Sequence, residues 1–408
     1  MSDFKEDADI KRRYSGRFSF ISGVIVGIIV MIVFSGAHGI YARQRFGGAD
    51  PSMKVLEIFS ILEQNSLLEF DTDYLLSSMY RGLISGLGDN NAQYLDARSF
   101  AAFTQRIGGT FVGIGIRIIS DPEDGKITVV TVFRGAPAYE AGIMIGDMII
   151  NVDGSSVVGY SAEEVVAVIT GQENTPVDIT IFRPLENIEI EKRIYRRQVE
   201  VPSVHHEVHE FGGFRIGYVQ ITTFDRLTHD QFNNALADLQ EQGVQGIVID
   251  LRNNSGGLLA SVNGITNMLI PEGIITITED ATGQMINYYS DKTYLGIPLA
   301  VLVNGVSASA SEILSGAVRD SGVGTIVGEN TFGKGSVQRP FELFDGSAIV
   351  ITVQRYFTPN GLSIDGVGIA PDVYVEMYEE LSRRIGSLSI EEDVQLQAAI
   401  EVVLGKLD

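Results

Sequence analysis

The sequence predicts a multidomain α+β protein with an N-terminal transmembrane helix, a helical segment, a small β-rich domain, an α/β core and a C-terminal helix. Three observations predict this order. An uncharged apolar run lies near the N-terminus, short strand-like runs follow in the middle, and strands then alternate with helices. At roughly 100–200 residues per domain, a chain of 408 residues has room for two or three domains.

The composition excludes several classes of protein. The formal net charge of −22 disfavours a nucleic-acid partner, since phosphate binding needs clustered Lys and Arg. The absence of cysteine excludes disulfides, a thiol nucleophile and a cysteine-ligated metal site.

The apolar run near the N-terminus predicts a membrane anchor at residues 18–37, because it supplies the ~20 residues that a spanning helix needs. Four basic residues lie just before it, namely Lys11, Arg12, Arg13 and Arg17. They predict a cytoplasmic N-terminus (1–17) and an extracytoplasmic remainder, held at the cell membrane by a single pass. A buried core helix and a cleaved signal peptide are the alternatives, and the length of the run favours an uncleaved anchor.

The next two parts are predicted from periodicity. Apolar residues at helical spacing predict two or three helices in a segment at residues 50–97. A β-rich domain is predicted at residues 98–185, with one helix near 162–169. Its strands are expected near 111–119, 127–133, 148–152 and 177–182.

The second half of the chain predicts a connector, the α/β core and a final helix. Residues 186–211 are polar and acidic, so we expect a connector in which His205, His206 and His209 are exposed. The core is expected at residues 212–376 and an amphipathic helix at 388–408. Core strands are predicted at 216–221, 246–251 and 299–303, and core helices at 229–242, near 260–269 and from about 309.

A candidate nucleophile follows the strand at residues 299–303. The strand runs into a glycine turn and then Ser307, Ser309 and Ser311. A helix that begins here would offer free N–H groups to a developing oxyanion. The alternative is that these serines only cap the helix.

A serine nucleophile needs a base, and the candidate is Lys334. It lies between two glycines and after an aromatic residue, and burial would lower its proton affinity. A lysine in a surface turn is the alternative, whereas the spacing of a phosphate-binding loop is absent. If the following segment is helical, Gln338 shares a face with Lys334 and can orient its amine.

These residues resemble the C-terminal processing peptidases, the tail-specific serine proteases of the S41 family. Three motifs carry the resemblance in the family's order: residues 302–312 (LVNGVSASASE) with Lys334 and Gln338 beyond them, residues 250–257 (DLRNNSGG), and residues 366–373 (GVGIAPDV). Ser255 stands where the family often has proline.

The resemblance implies a serine endopeptidase that needs no metal or organic cofactor. The family's spacing of 25 residues between serine and lysine selects Ser309 as nucleophile and Lys334 as base. Gln338 is then the orienting residue. The backbone N–H of Ala310 and of a glycine, Gly256 or Gly257, is implied for the oxyanion hole.

The β-rich segment resembles a bacterial PDZ domain, through residues 135–154 and the loop at 110–116. The N–H groups around Gly113, Ile114, Gly115 and Ile116 would bind a terminal carboxylate, and the next strand would pair with the ligand. Val165 and Ile169 are expected to line the groove. Arg183 is expected to link the PDZ domain to the protease, with an exposed strand-end charge as the alternative.

The expected function is therefore the processing or degradation of extracytoplasmic proteins that have accessible C-termini. A dedicated protease for one membrane-signalling partner and a PDZ scaffold with an inactive core are the alternatives. The apolar helix faces at residues 56–87 and 394–404 predict a homodimer, against packing on the parent core.

Overall fold

The computed structural model describes residues 51–121, 125–291 and 294–407. The predicted cytoplasmic segment and membrane anchor, residues 1–37, lie outside these ranges. Within them, no helix has the length and apolar character of a membrane span. The chain divides into two compact units, residues 1–78 and 79–408.

The helical segment begins with α1 (Pro51–Asn65), which lies in the first unit, and α2 (Thr72–Ser85), which starts there. The prediction of helices here is confirmed. No residue of α1 is buried, and its apolar side chains, such as Leu56 and Ile61, are exposed.

Two further elements precede the β-rich domain, namely β1 (Gln93–Leu95) and α3 (Ala97–Gly108). Asp96 caps α3 by accepting a hydrogen bond from Ser99 N at 2.8 Å. The helix ends at Gly109, whose φ of 70° suits a left-handed C-cap. The sequence analysis did not predict α3.

The β-rich domain is built around an antiparallel six-stranded sheet with the order β3-β4-β5-β7-β8 and β6 beside β5. Its elements in chain order are β2 (Thr110–Gly113), β3 (Ile116–Ser120), β4 (Ile127–Val132), α4 (Pro137–Glu140), β5 (Met148–Val152), β6 (Ser155–Ser156), α5 (Ala162–Ile169), β7 (Pro176–Arg183) and β8 (Ile188–Tyr195). Alternate apolar residues of β7, such as Val177, Ile179 and Ile181, are buried in its core. Strand β3 is at the edge of the sheet.

Residues 186–211 are strands rather than the predicted connector. Strand β8 pairs with β7, β9 (Arg197–Glu200) pairs with β2, and β10 (Val204–Phe211) pairs with the first strand of the core. The polar sequence misled the prediction because much of these edge strands is solvated, so few apolar residues mark them. The predicted exposure is confirmed for His205 and His206, which are exposed although they lie on the paired strand β10. It is wrong for His209, whose side chain is only 16% exposed.

The α/β core is a six-stranded sheet with the order β10-β11-β12-β15-β16-β19. The strands from β11 onward are parallel, and β10 is antiparallel to β11. The new strands are β11 (Phe214–Ile221), β12 (Gly246–Asp250), β15 (Leu299–Val303), β16 (Gly324–Gly328) and β19 (Val373–Tyr374). Its α-helices are α6 (Thr228–Glu241), α7 (Leu259–Leu269), α8 (Ala310–Ser321), α9 (Glu379–Ser382) and α10 (Val394–Leu404). The alternation of strands and helices was predicted correctly.

Both faces of this sheet are buried. Ile247 and Ile249 of β12 point into a core shared with α6, α7 and α8, whereas Val248 points into a core shared with α10. A strand with every residue buried reads as a continuous apolar run, which is why β12 and β15 were recognisable in the sequence.

A second sheet in the same unit has the order β1-β18-β13-β14, with β17 beside β18. Its other strands are β13 (Gly273–Asp280), β14 (Met285–Ser290), β17 (Ser336–Glu342) and β18 (Ala348–Phe357). Strand β1 thus joins the segment before the β-rich domain to the core.

The C-terminal helix packs on the chain's own core. Leu396, Ala399, Ile400 and Val403 of α10 are buried against the α/β sheet. One of the two apolar faces on which the homodimer prediction rested is therefore occupied within the chain.

Candidate active site

The segment between β15 and α8 has a strained backbone at Ser309. Its φ of 54° and ψ of −111° lie outside the regions that L-residues favour. Such a conformation costs about 1–3 kcal/mol and persists only when the surroundings hold it. Ser309 N donates to Glu312 Oε2 at 2.8 Å, and Ser309 O accepts from Ile313 N at 3.0 Å.

The three serines of this segment have different environments. The Ser307 hydroxyl donates to Leu251 O at 2.8 Å, and the Ser311 hydroxyl donates to Asn254 O at 2.8 Å. Both side chains are fully buried, so they tie this segment to the loop after β12. Ser309 alone is partly exposed, which makes it the serine of the three that a substrate can reach.

The loop after β12 places Gly256 directly against Ser309. A Cβ on Gly256, whose φ is 106°, would lie 2.8 Å from Ser309 Cβ and 3.0 Å from Ala310 N. Gly256 N donates to Asn254 Oδ1 at 2.8 Å. Among the described residues, the N–H groups of Gly257 and Ala310 have no acceptor. Of the two glycines, Gly257 therefore has the free donor.

Lys334 lies in the loop between β16 and β17, and it is half-buried. Burial is the largest influence on its amine and holds the pKa of Lys334 below the ordinary lysine value, against the opposing charges of Asp89 and Glu312. No hydrogen bond joins the Ser309 hydroxyl to the Lys334 amine in the described structure.

Glu312 connects the two candidate segments through one buried carboxylate. Its Oε2 accepts from Ser309 N at 2.8 Å and from Lys334 N at 2.9 Å. Its Oε1 accepts from Thr331 Oγ1 at 2.6 Å and from Gly333 N at 2.7 Å. The side chain is almost fully buried, so four donors replace its hydration shell. Sequence reasoning missed this residue, although the S-x-x-E spacing from Ser309 is the signal of a capping box.

Tyr356 makes a second connection between the same segments. Its hydroxyl donates to Ser309 O at 3.0 Å and also contacts Lys334 O. Burial, aided by the nearby charges of Glu312 and Asp365, raises the pKa of Tyr356 well above its ordinary value, so it remains a hydrogen-bond donor. Nothing in the sequence around Tyr356 indicated this role.

Gln338 is on a strand rather than on the helix that the sequence analysis considered. Strand β17 begins at Ser336, and its pairing with β18 shifts register between Val337 and Gln338. Gln338 Nε2 donates to Ser336 Oγ at 2.8 Å and to Thr352 Oγ1 at 3.3 Å. It thus lies on the strand that leaves Lys334, with its amide bound to hydroxyl groups.

The predicted carboxylate-binding loop leads into the edge strand β3. Gly113, Ile114 and Gly115 are buried, and Gly115 has a φ of 80° with Ala136 packed against it. Ile116 begins β3, and no strand in the described part of the chain covers its outer edge. This open edge can accept an extended peptide.

Val165 and Ile169 do not line a groove in this structure. Both side chains point into the core of the β-rich domain and are at most 4% exposed. The prediction was wrong because apolar residues at i and i+4 of a helix mark its buried face.

Arg183 binds within its own domain. Its guanidinium donates to Asp147 Oδ1 at 2.8 Å, to Asp147 Oδ2 at 2.9 Å and to Gly142 O at 2.8 Å. The hydrogen bonds to Asp147 raise the pKa of Arg183. Among the described residues, its partners, which also include Glu186, all lie in the β-rich domain. The expected link to the core is therefore not formed there, and the side chain is not solvated either.

The described residues contain no cluster of His, Asp and Glu that could hold a metal ion. The segments that Glu312 connects present a reachable hydroxyl at Ser309 and a lysine whose pKa burial lowers, and the N–H groups of Gly257 and Ala310 have no acceptor among the described residues. Those are the parts that acyl transfer requires.

Comparison with known proteins decides the family. Residues 215–375 match the sequence profile of peptidase family S41, and residues 103–182 match that of the PDZ domain. The Carboxy-terminal processing protease CtpB of Bacillus subtilis is 32% identical over 346 residues, which are 84% of this chain and 71% of that protein. The chain belongs to peptidase family S41. It is a C-terminal processing serine protease with a PDZ domain.

A second relative agrees with this membership in the S41 family, and one solved structure is also similar to the chain. The Probable CtpA-like serine protease of Staphylococcus aureus is 31% identical over 381 residues, 91% of this chain and 75% of that protein. The solved structure of the photosystem II D1 C-terminal processing protease is 32% identical, with a TM-score of 0.46, and the match covers 81% of this chain and 91% of that one.

Proposed function

We propose that this S41 protease cleaves peptide bonds by acyl transfer, with Ser309 as nucleophile, Lys334 as general base and Gln338 as the residue that orients the lysine. The observation that carries the proposal is the shared carboxylate of Glu312, which holds Ser309 N at 2.8 Å and Lys334 N at 2.9 Å on one oxygen. A nucleophile and a base fixed to one rigid group need little reorganisation before they react.

The proposed reaction has two stages. Neutral Lys334 takes the proton of the Ser309 hydroxyl, which attacks the peptide carbonyl, and the N–H groups of Ala310 and Gly257 receive the oxyanion. The protonated lysine then gives the proton to the leaving amine. Water, activated by the same lysine, hydrolyses the acyl-enzyme. The reaction uses neither a metal nor an organic cofactor.

Covalent mapping tests this assignment. A peptide ending in a diphenyl phosphonate ester should phosphonylate the full chain at Ser309 with loss of phenol, and digestion with mass spectrometry locates the adduct. Ser311→Ala is the matched control, since it removes a neighbouring hydroxyl and should keep the label. An adduct on Ser307 or Ser311 would move the nucleophile there, and labelling of Lys334→Arg at the native rate would exclude the lysine as base.

The proposed substrates are proteins with an accessible C-terminus. The buried glycine loop at residues 113–116 and the open edge of β3 support capture of a terminal carboxylate by strand addition. An unstructured protein and its C-terminally amidated form differ only in that carboxylate. Faster cleavage of the free-acid form supports binding of the terminal carboxylate, and equal rates of cleavage exclude it.

The proposed location is extracytoplasmic, with the chain anchored at the cell membrane through residues 18–37. Homodimerisation is proposed through exposed apolar side chains of two helices, such as Leu56 of α1 and, separately, Leu83 of α2. Light scattering of the fragment from Ala49 onward at micromolar concentration tests the dimer, and a monomer mass would exclude it.

A further inference from the structure

A turn between α2 and β1 is fixed to the strand beside Lys334. Asp89 Oδ1 accepts from Asn91 N at 2.9 Å, and Asp89 Oδ2 accepts from Thr352 N of β18 at 3.1 Å. The chain then pairs with β18 as β1, with Gln93 opposite Val350. The turn is therefore part of the second sheet rather than a loose linker.

The same turn reaches the side chains that surround Gln338. Asn91 Nδ2 donates to Ser336 Oγ at 3.3 Å. Gln338 Nε2 donates to the same hydroxyl at 2.8 Å and to Thr352 Oγ1 at 3.3 Å. One network thus connects the N-terminal turn to the strand pair that follows Lys334.

Asp89 and Lys334 influence each other's ionisation. Burial disfavours ionisation of Asp89, but hydrogen bonds from the backbone of Asn91 and Thr352, together with the charge of Lys334, hold the pKa of Asp89 below its ordinary value. Asp89 is in turn the larger of the two acidic influences that favour the charged form of Lys334, the other being Glu312.

Glu312 and Asp89 differ in the hydrogen bonds that their carboxylates accept. Glu312 already accepts four hydrogen bonds. Asp89 accepts one backbone hydrogen bond at each oxygen and is also influenced by the Thr352 hydroxyl. The other ionisable groups near the loop are committed or exposed. Asp365 Oδ1 accepts from Gly335 N at 3.1 Å, the Tyr356 hydroxyl binds main-chain carbonyls, and Arg355 of β18 is exposed.

We propose that Asp89, which the turn holds against β18 beside the residues around Gln338, is a positioning residue for Lys334, and that its carboxylate favours the charged form of the lysine in the resting enzyme. The N-terminal turn then completes the active site, although it precedes both the PDZ domain and the S41 core in sequence. For its catalytic meaning, this inference rests on the proposed role of Lys334 as base.

Competitive labelling with acetic anhydride measures the protonation of Lys334 without relying on catalysis. The full chain is pulsed at a series of pH values, and mass spectrometry quantifies acetylation of the Lys334 peptide against that of Lys192. In Asp89→Asn, the midpoint of Lys334 labelling should fall by about one pH unit, because a nearby negative charge favours the charged amine. The acid limb of kcat/KM should move down by the same amount.

Two variants separate charge from structure. Asp96→Asn makes the same chemical change at a residue whose capping role asparagine can fill, and it should leave both profiles unchanged. Asp89→Glu keeps the charge and should keep the native midpoint within a few tenths of a unit. If Asp89→Asn does not fold, Asp89→Ser, which retains an acceptor and suits a turn, replaces it in the same measurement.

An unchanged labelling midpoint in a folded Asp89→Asn or Asp89→Ser protein would overturn the inference. A labelling shift without a shift in kcat/KM has a different meaning. It would support the coupling of Asp89 to Lys334 and would contradict the role of Lys334 as general base, so the two proposals fail separately.

Discussion

At the scale of single residues, Glu312 contributes most to the geometry of the site. A buried carboxylate is costly unless donors replace its water, and here four donors do so, two of them the backbone N–H groups of Ser309 and Lys334. The strained backbone of Ser309 and the loop of Lys334 are therefore held by one side chain. This arrangement explains how segments that are far apart in sequence keep a fixed spacing.

Replacement of Glu312 by Gln should destabilise the protein and reduce its activity. The amide keeps the shape, but its NH2 group would face two N–H donors in place of an acceptor. Leaving two buried donors unpaired costs about 2–4 kcal/mol, measured as the free energy of unfolding in urea. Glu329→Gln is the matched control: its Oε1 accepts one bond from Met377 N, which an amide oxygen can still accept, and a loss of about 1 kcal/mol or less is expected. Equal stability losses in the two variants would contradict the bridging role.

The dependence of kcat/KM on pH should follow the state of Lys334. Its amine acts as a base only when neutral, and burial lowers the pKa of Lys334, so activity should rise with pH along a limb below the ordinary lysine pKa of about 10.4. Lys334→Arg should be inactive at every pH, and Lys192→Arg should keep the native profile. If the limb of kcat/KM lies at the ordinary lysine pKa, burial does not lower the pKa of Lys334.

At the scale of elements, the sequence identified those segments whose pattern is local. Strand β15, with the glycine turn and small residues after it, was recognisable because every strand residue is apolar. The loop around Lys334 was recognisable from its two glycines. Gly335 has no room for a side chain, since a Cβ there would lie 2.7 Å from Asp365 Cβ.

Features that depend on tertiary contacts were not predictable. The proposed role of Asp89 in positioning Lys334 depends on the pairing of β1 with β18, and no local sequence pattern predicts that pairing. Val165 and Ile169 were assigned to a groove, although helical spacing cannot distinguish a groove from a core. Strands β8 to β10 were missed because their exposed faces carry charged residues.

The pairing of elements also fixes how the PDZ domain should be removed. Strands β8 and β9 belong with it, and Val201 N donates to Gly109 O at 2.9 Å, so residues 109 and 201 are adjacent in space. Excision of residues 110–200 with a short Gly-Ser link should leave a folded core. This variant should cleave acid-ended and amide-ended substrates at equal rates. A preference for the free acid that survives the excision would place tail recognition elsewhere.

At the scale of the whole molecule, the chain joins a PDZ domain to an S41 core within one compact unit, residues 79–408. The proposed orientation puts that unit outside the cytoplasm. A phosphatase reporter fused after Asp408 should be active, and a fluorescent reporter that matures only in the cytoplasm should be dark. As a control, the four basic residues Lys11, Arg12, Arg13 and Arg17 are exchanged for uncharged residues. This change should weaken the preference for a cytoplasmic N-terminus. Cytoplasmic activity of the reporter would reverse the proposed topology.

The cleavage rate of the Ser309→Ala chain on an unstructured protein tests the central claim most directly. The account predicts a fall of roughly 10³-fold or more against the native chain, because nucleophile and base act as one unit. The circular dichroism and unfolding midpoint should match those of the native chain. Ser311→Ala, run beside it, should lose far less activity. Cleavage by a folded Ser309→Ala protein at a rate near that of the native chain would contradict the account.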